Sequence, residues 1–337
     1  MAMEFAFGLV PTSDLESFSR LIAQAEQWGF DTAFVPDQGF HRDPFVALAH
    51  LASTLSRIKL GVAVTNPYTR NPVQIARAAG ALADLCQGRF ILGLGAGEVG
   101  GLRDKLGAPR SPFLPVVETA IQAMRDLIDG QRVTVESPAF AIRDVRLEFE
   151  CPHRIPMYLA TTAPDGFRLA GRLADGLILA DVTDPDIIRQ CLQSVAEGAG
   201  ENGRTMQDIE VVTWITTIVT DDVTATRDHL RRVMAMTVCA FHRELRQMLG
   251  IDDGRRSEMQ HALEHSSGPF SPELFPDSLF DQVAIVGSAG HCIERLRAIE
   301  AAGSTQYSVR MPAAAAALVD YGTNLLTLAE GVIPSFR

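Results

Sequence analysis

From Gly88 to Gly101 the chain reads Gly-Arg-Phe-Ile-Leu-Gly-Leu-Gly-Ala-Gly-Glu-Val-Gly-Gly, a short apolar run that empties into alternating glycines and then a carboxylate. Gly93, Gly95 and Gly97 fall on one face of an extended chain. Three missing side chains there either let a flat ring or a phosphate approach the backbone, or only relieve crowding at a strand end. Glu98 follows directly, and a carboxylate beside such a surface is a candidate for holding and moving a proton. The spacing is not the dinucleotide fingerprint. Gly93 and Gly95 would serve as its first two glycines, but Glu98 stands where the third belongs.

Other strand-like runs also end on polar residues. Val35-Pro36 leads to Asp37 and Gln38, a carboxylate and an amide able to meet the edge of a heteroaromatic ligand; Asp37 alternatively caps its own loop. Gly61 to Val64 runs into Thr65 and Asn66, hydrogen-bonding groups where a ligand would lie, with Pro67 and Pro72 bracing the loop. Thr161, Thr162 and Ala163 precede a helix start near Asp165. Their hydroxyls and free amides make either a phosphate cradle or a capping turn. Arg310 is an isolated cation at the end of the last strand-like run, placed to hold an anionic cofactor tail or substrate, or to close a surface salt bridge. The histidines show no metal-ligand spacing. His261 and His265 are one helical turn apart in a polar stretch without an HExxH context, so no metal site is expected.

A repeating βα rhythm is what must position these residues. Strands are expected at Met3–Val10, Asp31–Pro36, Ile58–Thr65, Arg89–Leu94, Met157–Ala160, Gly176–Ala180, Ile209–Thr220 and Thr305–Met311. Helices of apolar period 3.6 fall between them, several opened by a cap and proline such as Asp43-Pro44 and Asn71-Pro72, and the last expected over Ala313–Glu330. Two stretches break the rhythm. Residues 131–148 alternate like a β excursion, and 223–276 read as a helical insertion, helical from Val223 to about Leu263 and then rich in Pro and Ser. Eight strands favour an α/β fold of the (β/α)8 TIM-barrel type with insertions, a single domain over 1–337, with its active site at the carboxyl ends of the strands.

Composition narrows the partners. A chain of 337 residues that is 47% hydrophobic can bury a large core, and a formal net charge of -11 argues against nucleic acid and acidic membranes. A small-molecule substrate is the expectation. No run is long enough to span a bilayer, and the N-terminus carries no basic region, so neither a membrane span nor a leader is expected. Five scattered cysteines suit a reducing cytoplasm better than a disulfide frame.

Taken together, Ala25 to Asp31 leading to Val35-Pro36-Asp37, Leu60 to Asn71, Gly88 to Glu98, Arg168 to Gly176 and Ile285 to Ser288 resemble the luciferase-like flavin monooxygenase superfamily. Within it they resemble the coenzyme F420-dependent branch that includes methylenetetrahydromethanopterin reductase. The resemblance covers nearly the whole chain. It implies a barrel with the deazaflavin or flavin ring at the carboxyl face, against a bulge in the third strand holding a non-prolyl cis peptide at Ala63-Val64. It implies Asp37 beside the ring, Gly95, Ala96, Gly97 and Glu98 beneath it, and Thr161 to Ala163 near the phosphate. Gln38 departs from the several F420-dependent members that carry His there; a neutral amide orients a ligand but is no acid or base near neutral pH. The resemblance thus implies an F420-dependent oxidoreductase passing a hydride to or from an organic substrate, and a homodimer. Two alternatives stand beside it. One is an FMN-dependent monooxygenase fed by a flavin reductase, and the other a barrel that binds flavin or F420 without chemistry.

Overall fold

The computed structural model describes residues 3–38, 40–97 and 102–337. Its first half alternates β1 (Glu4–Gly8), α1 (Leu15–Gln27), β2 (Thr32–Val35), α2 (Pro44–Ala52), β3 (Lys59–Thr65), α3 (Pro72–Leu85) and β4 (Phe90–Leu94), followed by α4 (Leu102–Lys105) and α5 (Phe113–Ile128). A hairpin of β5 (Val133–Glu136) and β6 (Ala141–Val145) precedes β7 (Met157–Ala160), α6 (Pro164–Leu173), β8 (Gly176–Ala180), α7 (Pro185–Glu201) and β9 (Glu210–Val219). The chain then runs through α8 (Val223–Ala240), α9 (Arg243–Met248), α10 (Asp253–His265), α11 (Asp277–Phe280), β10 (Ala284–Gly287), α12 (Ala289–Ala301), β11 (Gln306–Arg310) and α13 (Tyr321–Gly331). Local chemistry sets the starts. The side chains of Asp14, Asp43, Asn71 and Asp184 each accept a first-turn amide, three of them with proline next in line.

Eight strands close into a parallel barrel in the order β9-β11-β1-β2-β3-β4-β7-β8 and back to β9. This is a (β/α)8 barrel, and its eight strands are the eight that the apolar runs mark. Ala6, Phe34, Ala63, Ile91, Tyr158, Ile178, Val212 and Trp214 fill its interior. The main apolar layer lies between the strands and the surrounding helices.

The structure departs from the expected elements in three places. A ninth parallel strand, β10, pairs Ala284 with Thr216 and Gly287 with Val219 on the far half of long β9, outside the closed ring. The helical stretch from Val223 is three helices. The joint after Ala240 is held from outside, where the His242 amide donates to Thr162 Oγ1 at 3.0 Å, and Asp252 restarts the chain as the cap of α10. The helix expected over Ala313–Glu330 is a 3-10 turn at Ala313–Ala317, and α13 starts only after Asp320, whose carboxylate accepts the Thr323 amide. A cap at Asp320 resets the helix there in spite of the alanines' high propensity.

At the amino ends of the strands Asp175 ties α5 to β7. It accepts from Arg125 Nη2 at 2.7 Å, Arg154 Nη2 at 2.6 Å and the Met157 amide at 2.8 Å. Burial opposes its charge, but the Met157 amide and the two guanidiniums outweigh burial and hold its carboxyl below the usual range. A depressed folded-state pKa contributes stability above the unfolded value near 4 and loses it as pH falls through the folded value. Asp175→Asn is therefore expected to cost about 2 kcal/mol at pH 7. The gap to wild type should close as the pH drops below about 4, read by urea unfolding at both pH values.

Candidate active site

The carboxyl ends of the strands gather most of the residues singled out from the sequence. The peptide joining Ala63 and Val64 is cis, and the pairing of β3 with β4 slips between Val62 and Thr65. The bulge needs room, and β4 supplies it. A Cβ on Gly93 would lie 2.5 Å from the Val62 carbonyl oxygen, and one on Gly95 would lie 2.7 Å from Val64 Cγ2. These two glycines thus make space for the neighbouring strand itself. Gly97 differs, because β4 ends at Leu94 and Gly97 has φ +75, a left-handed conformation, facing the amide of Asn66.

Asn66 is fully buried. Its Oδ1 accepts from the amides of Tyr68 and Thr69 at 3.1 and 3.0 Å and from the Thr69 hydroxyl, which fixes the loop after β3. Its Nδ2 has no partner among the described residues, a buried donor left open beside Gly97. Asp37 is half-buried at the end of β2. Its Oδ2 accepts the hydroxyl of buried Thr65 at 2.7 Å and lies 3.8 Å from Arg70 Nε. Gln38 is exposed next to it on the rim. Ala96 is half-buried, and Glu98 lies outside the described residues.

Across the mouth, β7 delivers Thr161, Thr162 and Ala163 to α6. Helix α6 begins at Pro164 without a side-chain cap among the described residues, which leaves its first-turn amides open to a ligand there. The Thr161 hydroxyl accepts the Ala163 amide at 3.2 Å and packs where a Cβ on Gly166 would stand, while Thr162 accepts from His242. Both hydroxyl oxygens serve the loop first. Arg310, at the end of β11, is not isolated. It forms an ion pair with Asp181, which follows β8 and is fully buried.

Sequence reasoning passed over two members of this mouth. Trp214 on β9 packs 5.5 Å from Phe34, ring to ring, and fills the space left by Gly8, so the two rings floor the mouth beneath Val64, Ala160 and Ala180. A single tryptophan inside a β-branched strand was its signal. Asp181 carried the same mark as Asp37, a carboxylate directly after a buried strand. Size does not select the site, since a cavity of about 920 Å³ opens at the opposite end of the barrel around Arg125, Arg154, Tyr158, Asp175 and Arg204. Arg204 there donates to the carbonyls of Gly171 and Ala174 at the end of α6, the ordinary closure of a helix C-terminus.

The chain is 28% identical over 311 residues to the 5,10-methylenetetrahydromethanopterin reductase of Methanolobus tindarius, covering 92% of this chain and 94% of that one. It is 35% identical over 204 residues to the F420-dependent glucose-6-phosphate dehydrogenase of Intrasporangium calvum, covering 56% and 60%. The solved structure of the coenzyme F420-dependent tetrahydromethanopterin reductase from Methanopyrus kandleri superposes along the whole of both chains with a TM-score of 0.85 at 22% identity. The family model for luciferase-like monooxygenases matches residues 3–306. The chain belongs to the luciferase-like monooxygenase family.

Proposed function

We propose that this protein is a coenzyme F420-dependent oxidoreductase that transfers a hydride between the deazaflavin and a small organic substrate. The observation that carries this reading is the mouth itself: a floor of Trp214 and Phe34, small residues above it, and a buried donor, Asn66 Nδ2, with no partner among the described residues, beside the turn at Gly97. A flat heterocycle with polar edges fits such a surface. The end-to-end likeness to methylenetetrahydromethanopterin reductases supports the deazaflavin over FMN.

When bound, the deazaflavin supplies the hydride carrier, and the protein supplies orientation and proton handling. Ala63, Val64, Gly95, Ala96 and Gly97 would back the ring, with Asn66 donating to it. Asp37, anchored by Thr65, and Gln38 would meet its polar edge. Thr161, Thr162 and Ala163 with the open amides of α6 would hold the phosphate, and Glu98 would hold the proton in transfer. The loops after Asp37 and Gly97 and the joint at His242, latched to Thr162, would wall the substrate pocket.

The reading includes a cytoplasmic homodimer. Five free cysteines suit a reducing compartment, and Val46 of α2 and Leu85 of α3 expose apolar surface on neighbouring barrel helices. No helix among the described residues is long and apolar enough to cross a membrane.

Titration of the apo-protein with F420 and, separately, FMN, followed by tryptophan emission, tests the cofactor. F420 is expected to bind with a dissociation constant of about 1 μM or tighter, and FMN far more weakly. The reverse preference would replace this reading with the FMN monooxygenase, and binding of neither would leave only the fold.

A further inference from the structure

Asp181 and Arg310 form an asymmetric pair at the rim. The carboxylate is fully buried and sits on a backbone of φ 49, while the Arg310 side chain is 33% exposed. Asp181 Oδ1 accepts the amide and the hydroxyl of Thr216 at 2.9 and 3.0 Å, and its Oδ2 meets Arg310 Nη1. Both oxygens of the acceptor are thereby engaged. The guanidinium fork is not, because among the described residues only its Nη1 has a partner.

Register places this open edge. Ser308 lies opposite Trp214, and Arg310, two residues on, lies opposite Thr216, so Arg310 stands on the barrel-facing side directly above the tryptophan floor. Arg70, the cation on the Asp37 side, is already shared between Asp37 and Asp43 and lies over the Phe45 ring. An apolar floor beneath one guanidinium with its outer edge unspent is a surface for an apolar body that ends in an anion.

We propose that the substrate is an organic anion whose carboxylate or phosphate is held by Arg310, and that Asp181 is the positioning residue that fixes the guanidinium over the floor. The proposal rests on the reading that this mouth is where the substrate meets the cofactor.

Benzoate, phenyl phosphate and benzamide are three probes of similar shape that differ in charge. Each is titrated into the full chain carrying Trp28→Phe, so that emission reports Trp214 alone, with and without F420. At least one anion is expected to bind about tenfold more tightly than benzamide, the better of the two telling carboxylate from phosphate. The preference should vanish in Arg310→Gln, return in part in Arg310→Lys, and weaken in Asp181→Asn with binding of benzamide unchanged. Equal binding of benzamide and the anions, a preference that survives Arg310→Gln, or no binding of any probe overturns the proposal. Arg310→Gln decides the matter even if Asp181→Asn fails to fold. Titrating F420 on the same samples separates the two readings, because loss of F420 binding counts against the cofactor and leaves the anion preference to be read in the F420-free arm.

Discussion

Gly171→Ala is expected to destabilise the protein by about 3 kcal/mol and to lower its melting temperature by roughly 4 °C. Helices α6 and α7 cross backbone to backbone at this residue. A Cβ on Gly171 would collide with the Val195 carbonyl oxygen and lie 2.7 Å from the Ala199 nitrogen. From the other side, a Cβ on Gly198 would collide with the Arg168 carbonyl oxygen and lie 2.6 Å from its carbon. Main chain faces main chain, so no side chain can rotate away and the helices must part. Gly200 is the control within α7, because nothing lies within 4 Å of its added Cβ. Gly200→Ala should be neutral or stabilising by up to about 1 kcal/mol, since alanine lowers the entropy of the unfolded chain. Calorimetry of the two variants distinguishes a packing effect from a general dislike of alanine. The crossing also bears on the site, because α6 starts at the Thr161–Ala163 corner. Parting α6 from α7 moves that corner, so F420 affinity should fall in Gly171→Ala and hold in Gly200→Ala. Equal stability of the two would mean that the crossing is not close-packed.

How much of this was legible depends on whether the cause of a feature lies near it in the chain. The barrel strands could be read because each is a short apolar run buried on both faces and bounded by a capped helix, as at Asp43-Pro44 and Asn71-Pro72. Strand β10 escaped because four residues, Ala284–Gly287, carry too little pattern, and its partner is the distant end of β9. The break after Ala240 depends on Thr162, eighty residues back in the chain. Gly93 and Gly95 were visible as an unusual pattern, yet their use is set by a bulge in the neighbouring strand, which no local rule reports. Arg310 was visible as a cation at a strand end. Its partner Asp181 is 129 residues away and reaches it only because the barrel closes. The cis peptide at Ala63-Val64 came from resemblance to a family and not from any property of an alanine-valine pair.

Glu98→Gln is expected to lower turnover roughly 10²–10⁴-fold, the range over which a positioned acid or base acts, while F420 binds within about threefold of wild type. Glutamine keeps the size and polarity of the side chain and removes its ability to accept or release a proton, so the loss reports proton handling alone. Asp37 should behave in the opposite way. Its carboxylate is held by the Thr65 hydroxyl at 2.7 Å and half-buried at the rim, which suits a group that grips a ligand edge. Asp37→Asn exchanges an acceptor oxygen for a donor, so the main loss should be about tenfold in F420 affinity with a smaller effect on turnover of the loaded enzyme. Both quantities are read on the same preparations, affinity by tryptophan emission and turnover by the visible absorbance of the deazaflavin with an organic substrate that the enzyme accepts. Near-normal turnover in Glu98→Gln would remove Glu98 from the mechanism. Should Asp37→Asn then be the variant that loses turnover at saturating F420, the proton-handling role would pass to Asp37, which Thr65 already holds at the mouth.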